Sequence, residues 1–168
     1  LECSVQMARR GYHVILAESK KELGGRVLFE SGLKGLSAWK RVVDNRVYEI
    51  QQKNNIELYK DSELSLSHIN ELGVDNIFLA TGSSWRVDGV GRSSREPIKG
   101  LDKITVLSPE DAIKNINKLE GPIVIYDDEQ GYLAGVLADH LSANGCNINF
   151  VTPASVVSPW TDSTLEQA

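Results

Sequence analysis

The chain has 168 residues, 41% of them hydrophobic, and a formal net charge of −5, which is enough for an ordinary packed core in one domain or two small ones. No apolar run approaches the ~20 residues of a membrane span, and the first residues, with Glu2, Arg9 and Arg10, do not make a signal peptide. Residues 1–50 carry nine Lys/Arg against six Asp/Glu and residues 101–168 three against ten, with no basic stripe interleaved with aromatics, which argues against nucleic acid as a partner. A soluble, cytoplasmic protein with no membrane contact is therefore expected. Cys3 and Cys146 lie far apart and in no CxxC or Cys/His cluster, so neither a disulfide nor a metal site is predicted and both read as small core side chains. The chain starts at Leu1 without an initiator methionine, and a piece of a longer protein is expected.

Leu1–Arg10 has helical composition with Leu1, Val5 and Ala8 on one face, Gly11 ends the helix, and Tyr12–Ala17 is a strand closing on Glu18. Helix, glycine, strand and terminal acid form the second half of a dinucleotide-binding βαβ unit, in which the acid accepts hydrogen bonds from the adenosine ribose. Glu18 either holds that role or merely caps a strand. If it holds it, the first strand and its glycine-rich turn belong immediately before Leu1. Glu22-Leu23-Gly24-Gly25-Arg26 follows, where Gly24 and Gly25 would let the backbone cross close to a pyrophosphate with Arg26 as its charge partner; a plain turn is the competing reading. Leu36, Trp39, Val42, Val43, Val47 and Ile50 recur at helical spacing, with Trp39 expected in the core.

Ile56–Tyr59 reads as a short strand before Asp61, Ser62, Glu63 and Leu64, a stretch placed to pass beside an adenine. The segment from Ile77 through Phe78, Leu79, Ala80, Thr81 and Gly82 to Ser83 reads as a buried strand whose terminal Ala-Thr-Gly brings the main chain against a nucleotide. Residues 85–98, with three of the arginines (Arg86, Arg92, Arg95) and Trp85, lack periodicity and are either a solvated loop or a contact with another domain. Ser108-Pro109-Glu110-Asp111 predicts a helix start.

The plan of the first unit recurs after the strand Pro122–Tyr126. Gly135–Asn144 reads as helix, Gly145 ends it, and Cys146–Val151 is a strand reaching Thr152; in both copies the helix-ending glycine stands seven positions before the strand end. Here Glu129, Gly131 and Ala134 align with the small residues of GxGxxG, Thr152 replaces the acid, and Asp127 and Asp128 put negative charge where a pyrophosphate would rest. Each like-charge contact there would cost about 1 to 4 kcal/mol, so this second turn is expected not to bind a nicotinamide dinucleotide. His13, His68 and His140 are isolated, and no nucleophile or acid-base pair is legible. The fold class read from the chain is α/β, made of two incomplete Rossmann-like three-layer domains, residues 1–103 and 104–168.

Taken together, Gly24-Gly25-Arg26-Val27-Leu28, Gly35-Leu36-Ser37-Ala38-Trp39, Leu79-Ala80-Thr81-Gly82-Ser83, Trp85 to Arg92, Val106 to Asp111 and Val151-Thr152-Pro153-Ala154 resemble the carboxy-terminal region of the trimethylamine, dimethylamine and histamine dehydrogenase family. The resemblance implies a longer parent whose amino-terminal (β/α)8 barrel, similar to old yellow enzyme, carries FMN and an iron-sulfur cluster and oxidises a small amine. It further implies a homo-oligomer that passes electrons to an acceptor protein. For this region it implies ADP or FAD in the first domain, held by Glu18, Gly24, Gly25, Arg26, Leu64, Thr81 and Gly82, and an empty second domain. Dienoyl-CoA reductases, with FAD and an NADPH site, are the alternative enzyme reading, and a purely structural nucleotide holder is the non-enzymatic one.

Overall fold

A computed structural model describes residues 1–164, and the chain divides into two compact units. The first comprises residues 1–32 and 36–82, and the second residues 33–35 together with the chain from Ser83 onward.

The first unit opens with α1 (Glu2–Arg9), whose Val5 and Ala8 are buried and whose end is turned by Gly11 at φ 89°, a left-handed value glycine adopts at little cost. Strand β1 (Val14–Ala17) follows, then α2 (Arg26–Glu30), a 3-10 turn at Ser37–Trp39, α3 (Lys40–Gln51), β2 (Ile56–Tyr59) and α4 (Leu66–Glu71). The strands pair in parallel, with Val14 opposite Ile56 and Ala17 opposite Tyr59. A parallel pair requires a crossover, here α2 and α3. Val5, Ala8, Leu23, Leu36, Val43 and Ile50 are buried apolar side chains of the unit, and α3 packs against both α1 and α2. Removing each of these side chains other than Ala8 from water contributes about 1.5 to 3 kcal/mol before conformational entropy is subtracted.

The second unit repeats the pattern. Helix α5 (Pro109–Lys114) starts as its sequence requires, with the Ser108 hydroxyl accepting from the Asp111 amide at 3.1 Å. Strand β3 (Pro122–Tyr126), α6 (Tyr132–Ala143) and β4 (Asn147–Val151) form a βαβ unit in which Pro122 faces Asn147 and Tyr126 faces Val151 in a parallel ladder. Ile125, Leu137 and Leu141 are the centre of its core, with Ile113, Leu119, Cys146 and Phe150 packed around them. Gly145 ends α6 at φ 86°.

The α/β class is thus present as two small parallel sheets. Three expectations are corrected. Residues 77–83 form no strand: the whole stretch 70–84 is exposed, with Ile77, Phe78 and Leu79 at 56, 63 and 80%. A parallel strand exists only by hydrogen bonding to a neighbour, and β1 and β2 pair with each other alone among the described residues. Trp39 is exposed, because it lies on the 3-10 turn ahead of α3, out of phase with the face that buries Val43 and Ile50. Cys3 is exposed as well, its neighbours Ser4 and Val5 taking the buried face of α1, whereas Cys146 is half-buried against the second core. No helix among the described residues is long and apolar enough to cross a membrane.

Candidate functional site

Parallel strands deliver their carboxyl ends to one edge, and loops leaving that edge are where open α/β sheets take ligands. In the first unit that edge is built by Glu18 and Lys60. The Glu18 amide donates to the Tyr59 carbonyl at 2.9 Å and the Ser62 amide donates to the Glu18 carbonyl at 2.8 Å, so the two strand ends are locked side by side one residue beyond their ladder. The Asp61 amide donates to the Lys20 carbonyl, with Asp61 itself at φ 53°. Glu18 is half-buried; its Oε1 accepts from the Lys20 amide at 2.9 Å and from the Ser19 hydroxyl at 3.3 Å. Oε2 has no hydrogen-bond partner among the described residues and is available to an incoming donor.

The two glycines of the following turn differ in use. A Cβ on Gly24, at φ 128°, would meet Val43 Cγ1 at 2.8 Å and Leu28 Cγ at 3.0 Å, so this glycine is needed for packing beneath the turn. Gly25, at φ 56° on the amino end of α2, has nothing within 4 Å of the same position and is open above. Arg26 starts α2 and its Nε stands 3.9 Å from Oε1 of the buried Glu30, one turn on, so its charge has an internal counterpart. Leu64 is exposed two residues after Ser62. Thr81 and Gly82 lie at the end of the exposed stretch 70–84, Gly82 at φ 78°. The structure therefore brings the Glu18 end of β1 to the segment leading to Leu64, while the ladder that would carry Thr81 and Gly82 to the same edge is absent.

The corresponding edge of the second unit carries the Asp127–Gly131 turn. Asp127 is buried, with Oδ1 accepting from the Gln130 amide at 2.9 Å and Oδ2 buried without a hydrogen-bond partner. The left-handed residue of this turn is Gln130, at φ 65°, rather than Glu129, which the sequence alignment had placed in the tight position. Asp128 accepts from the Arg92 amide and from the Ser93 amide at 3.0 Å. Burial draws its pKa upward, but the hydrogen bonds from Ser93 and Arg92 and the Arg92 charge outweigh that and hold it below the usual carboxylate value. The arginine-bearing loop is thereby tied to its own unit; Trp85 Nε1 likewise donates to Glu110 Oε1 at 3.2 Å. Arg86 pairs with Asp88, whose carboxyl its hydrogen bonds hold at about 2. These partners were not legible in the sequence.

Of the histidines, His13 pairs with Glu57 at 2.9 Å, and His68 closes a capping box at the start of α4 with Ser65. No group of three metal-ligating side chains occurs among the described residues.

No family model matches the chain. It is 28% identical over 174 residues to dimethylamine dehydrogenase of Hyphomicrobium sp. (strain x), an alignment covering 99% of this chain and 24% of that protein. Among solved structures, 6-hydroxypseudooxynicotine amine oxidase from Pseudomonas geniculata N1 superimposes with a TM-score of 0.91 at 43% identity, over 99% of this chain and 25% of the other. Histamine dehydrogenase from Rhizobium sp. 4-9 does so with a TM-score of 0.91 at 41% identity, over 99% and 26%. The chain spans about a quarter of the length of the relatives it matches. The expected resemblance to the dimethylamine and histamine dehydrogenases is borne out: this chain is homologous to one region of these amine-oxidising proteins.

Proposed function

We propose, from that homology, that the chain is the adenine-nucleotide-holding region of a flavin-dependent oxidoreductase acting on a small amine, with each unit an incomplete Rossmann-like domain. The observation that carries the nucleotide assignment is Glu18. It ends β1 beside the end of a parallel neighbour, keeps one carboxylate oxygen unpaired, and is followed by a turn whose Gly25 is open on its outer side. A carboxylate there accepts two ribose hydroxyls, and a backbone without a Cβ admits a pyrophosphate.

In this reading the ligand is ADP or FAD. Gly25 and Arg26 face its phosphates, Gly24 sets the turn beneath them and Leu64 lies beside the adenine, while Thr81 and Gly82 would reach the phosphates only if the exposed stretch that carries them paired as a further strand. FMN and an iron-sulfur cluster belong to the rest of the longer protein, where they supply the amine oxidation and the electron transfer to an acceptor protein. A homo-oligomer in the cytoplasm is part of the same proposal. The residues described for this chain bind and orient; none abstracts a proton or attacks a substrate.

The test is to denature the purified full-length protein and identify the released nucleotide by chromatography. One ADP or FAD per chain is expected, ADP making the region a structural holder and FAD an electron-carrying one. Glu18→Ala should weaken nucleotide affinity by about tenfold, the scale of a lost charge-assisted hydrogen bond, and lower the amount retained through purification. A full-length protein free of adenine nucleotide would refute the assignment.

A further inference from the structure

The carboxyl end of the second unit's sheet is covered by its own chain. Its edge is the turn Asp127–Gly131 between β3 and α6, and two stretches of chain close on that turn from either side. On one flank, residues 91–93 lie over it with the Arg92 and Ser93 amides donating to Asp128. The fit is tight, because a Cβ on Gly91 would collide with that same carboxylate. On the other flank the Trp160 amide donates to the Gln130 carbonyl at 3.2 Å, and a Cβ on Gly135, in the first turn of α6, would come within 3.1 Å of the Ser158 hydroxyl. Ser158 is buried and held at φ 49°. The flanks then meet, the Arg92 guanidinium lying 5.2 Å from the centroid of the Trp160 ring, within cation–π range.

Two successive backbone amides converging on one oxygen-bearing group are the arrangement that elsewhere cradles a phosphate. Here the anion is a side chain of the protein. We propose that Asp128 is the residue that excludes a second nucleotide: its carboxylate occupies the anion position at the carboxyl end of β3, and the Arg92–Trp160 contact closes the two flanks over it. The proposal rests on reading the chain as a nucleotide-holding region, and it assigns the selectivity for one nucleotide rather than two to named residues. Two features of the sequence acquire a purpose in this arrangement. Gly91 and Gly135 are glycines because the closing chain needs the room, and the acids of the turn are an internal ligand as well as a source of repulsion.

The experiment uses the full-length protein and inorganic pyrophosphate as probe, comparing wild type with Asp128→Ala and with the double variant Asp128→Ala/Trp160→Ala. Trypsin cleavage after Arg92 and Arg95 reports opening of the first flank. Any binding of pyrophosphate to the second unit of wild type should be at least about tenfold weaker than to that of the double variant, the scale on which removal of one adjacent like charge acts. Cleavage after Arg92 should accelerate in both variants. Unchanged cleavage would overturn the role of Asp128 as the tie, and faster cleavage without a gained pyrophosphate site would overturn its role as the excluding anion. Nucleotide released from the first unit on denaturation is measured in the same samples, so failure of the first-unit assignment shows there and not in the pyrophosphate titration. Asp128→Asn keeps the volume and one acceptor, and should fall between wild type and Asp128→Ala in cleavage rate.

Discussion

Gly24 separates two meanings that adjacent glycines share in a sequence. Its φ of 128° and the 2.8 Å approach of Val43 Cγ1 to the position of a Cβ make it a packing residue, whereas Gly25 beside it meets nothing. Val43 is buried on α3 and cannot step aside without disturbing the core. Gly24→Ala should therefore destabilise the first unit by about 1 to 3 kcal/mol through overpacking and backbone strain, read as a lowered midpoint in urea. A midpoint equal to wild type would mean that α3 yields freely. Glu18 was legible as a strand-end acid from its distance to Gly11. That its Oε1 is turned onto the Lys20 amide while Oε2 stays unpaired follows from the loop after β1, which no single-residue signal announces. Asp128 shows the converse: its charge was legible, its partners were not, because Arg92 and Ser93 stand 36 and 35 positions away.

Among the elements, α6 forms where the sequence reads a helix, but it starts at Tyr132 rather than Gly135. Leu133, Leu137 and Leu141 recur every four residues and are all buried, and Gly145 turns the chain into β4. Leu141 is 1% exposed, with Ile125 and Leu137 in the same core cluster. Leu141→Ala should cost about 2 to 5 kcal/mol, since the removed methyl groups leave a cavity that a small βαβ unit closes only in part; thermal unfolding followed by circular dichroism checks it, and a loss below about 1 kcal/mol would show that the unit collapses around the gap. The residues 77–83 are the element for which local sequence and structure part. Their apolar run has the composition of a buried parallel strand, but composition specifies only what a strand would bury. Whether it becomes one depends on a neighbour offering amides and carbonyls at ladder spacing, and among the described residues β1 and β2 pair only with each other, so this run has no ladder partner.

At the scale of the whole molecule, the consequence is an exposed apolar segment. Ile77, Phe78 and Leu79 stand in water together, in a stretch with no secondary structure to shield its backbone, and contiguous exposed apolar surface is an association hazard. The 168-residue chain on its own should scatter light and bind a hydrophobic dye, and Phe78→Ser with Leu79→Ser should reduce both at unchanged helix content. Equal scattering by the doubly substituted chain would place the sticky surface elsewhere, with Trp160, Val156 and Val157, also exposed, the next segment to substitute.

What the sequence by itself determined is local: helices α1, α5 and α6, their glycine or serine boundaries, the positions of β1 to β4, the acid at the end of β1, and the resemblance to amine dehydrogenases that the comparisons bear out. Each depends on side-chain periodicity or on a backbone conformation that few residues tolerate, and such preferences act over a few positions of chain. Tertiary structure alone decided which apolar run became a strand, which of two glycines packs and which stays open, and that the carboxyl end of the second unit's sheet is covered by chain held at Asp128 and Trp160. Those outcomes depend on atoms brought together across tens of residues, where the contact, rather than the residue type, carries the free energy.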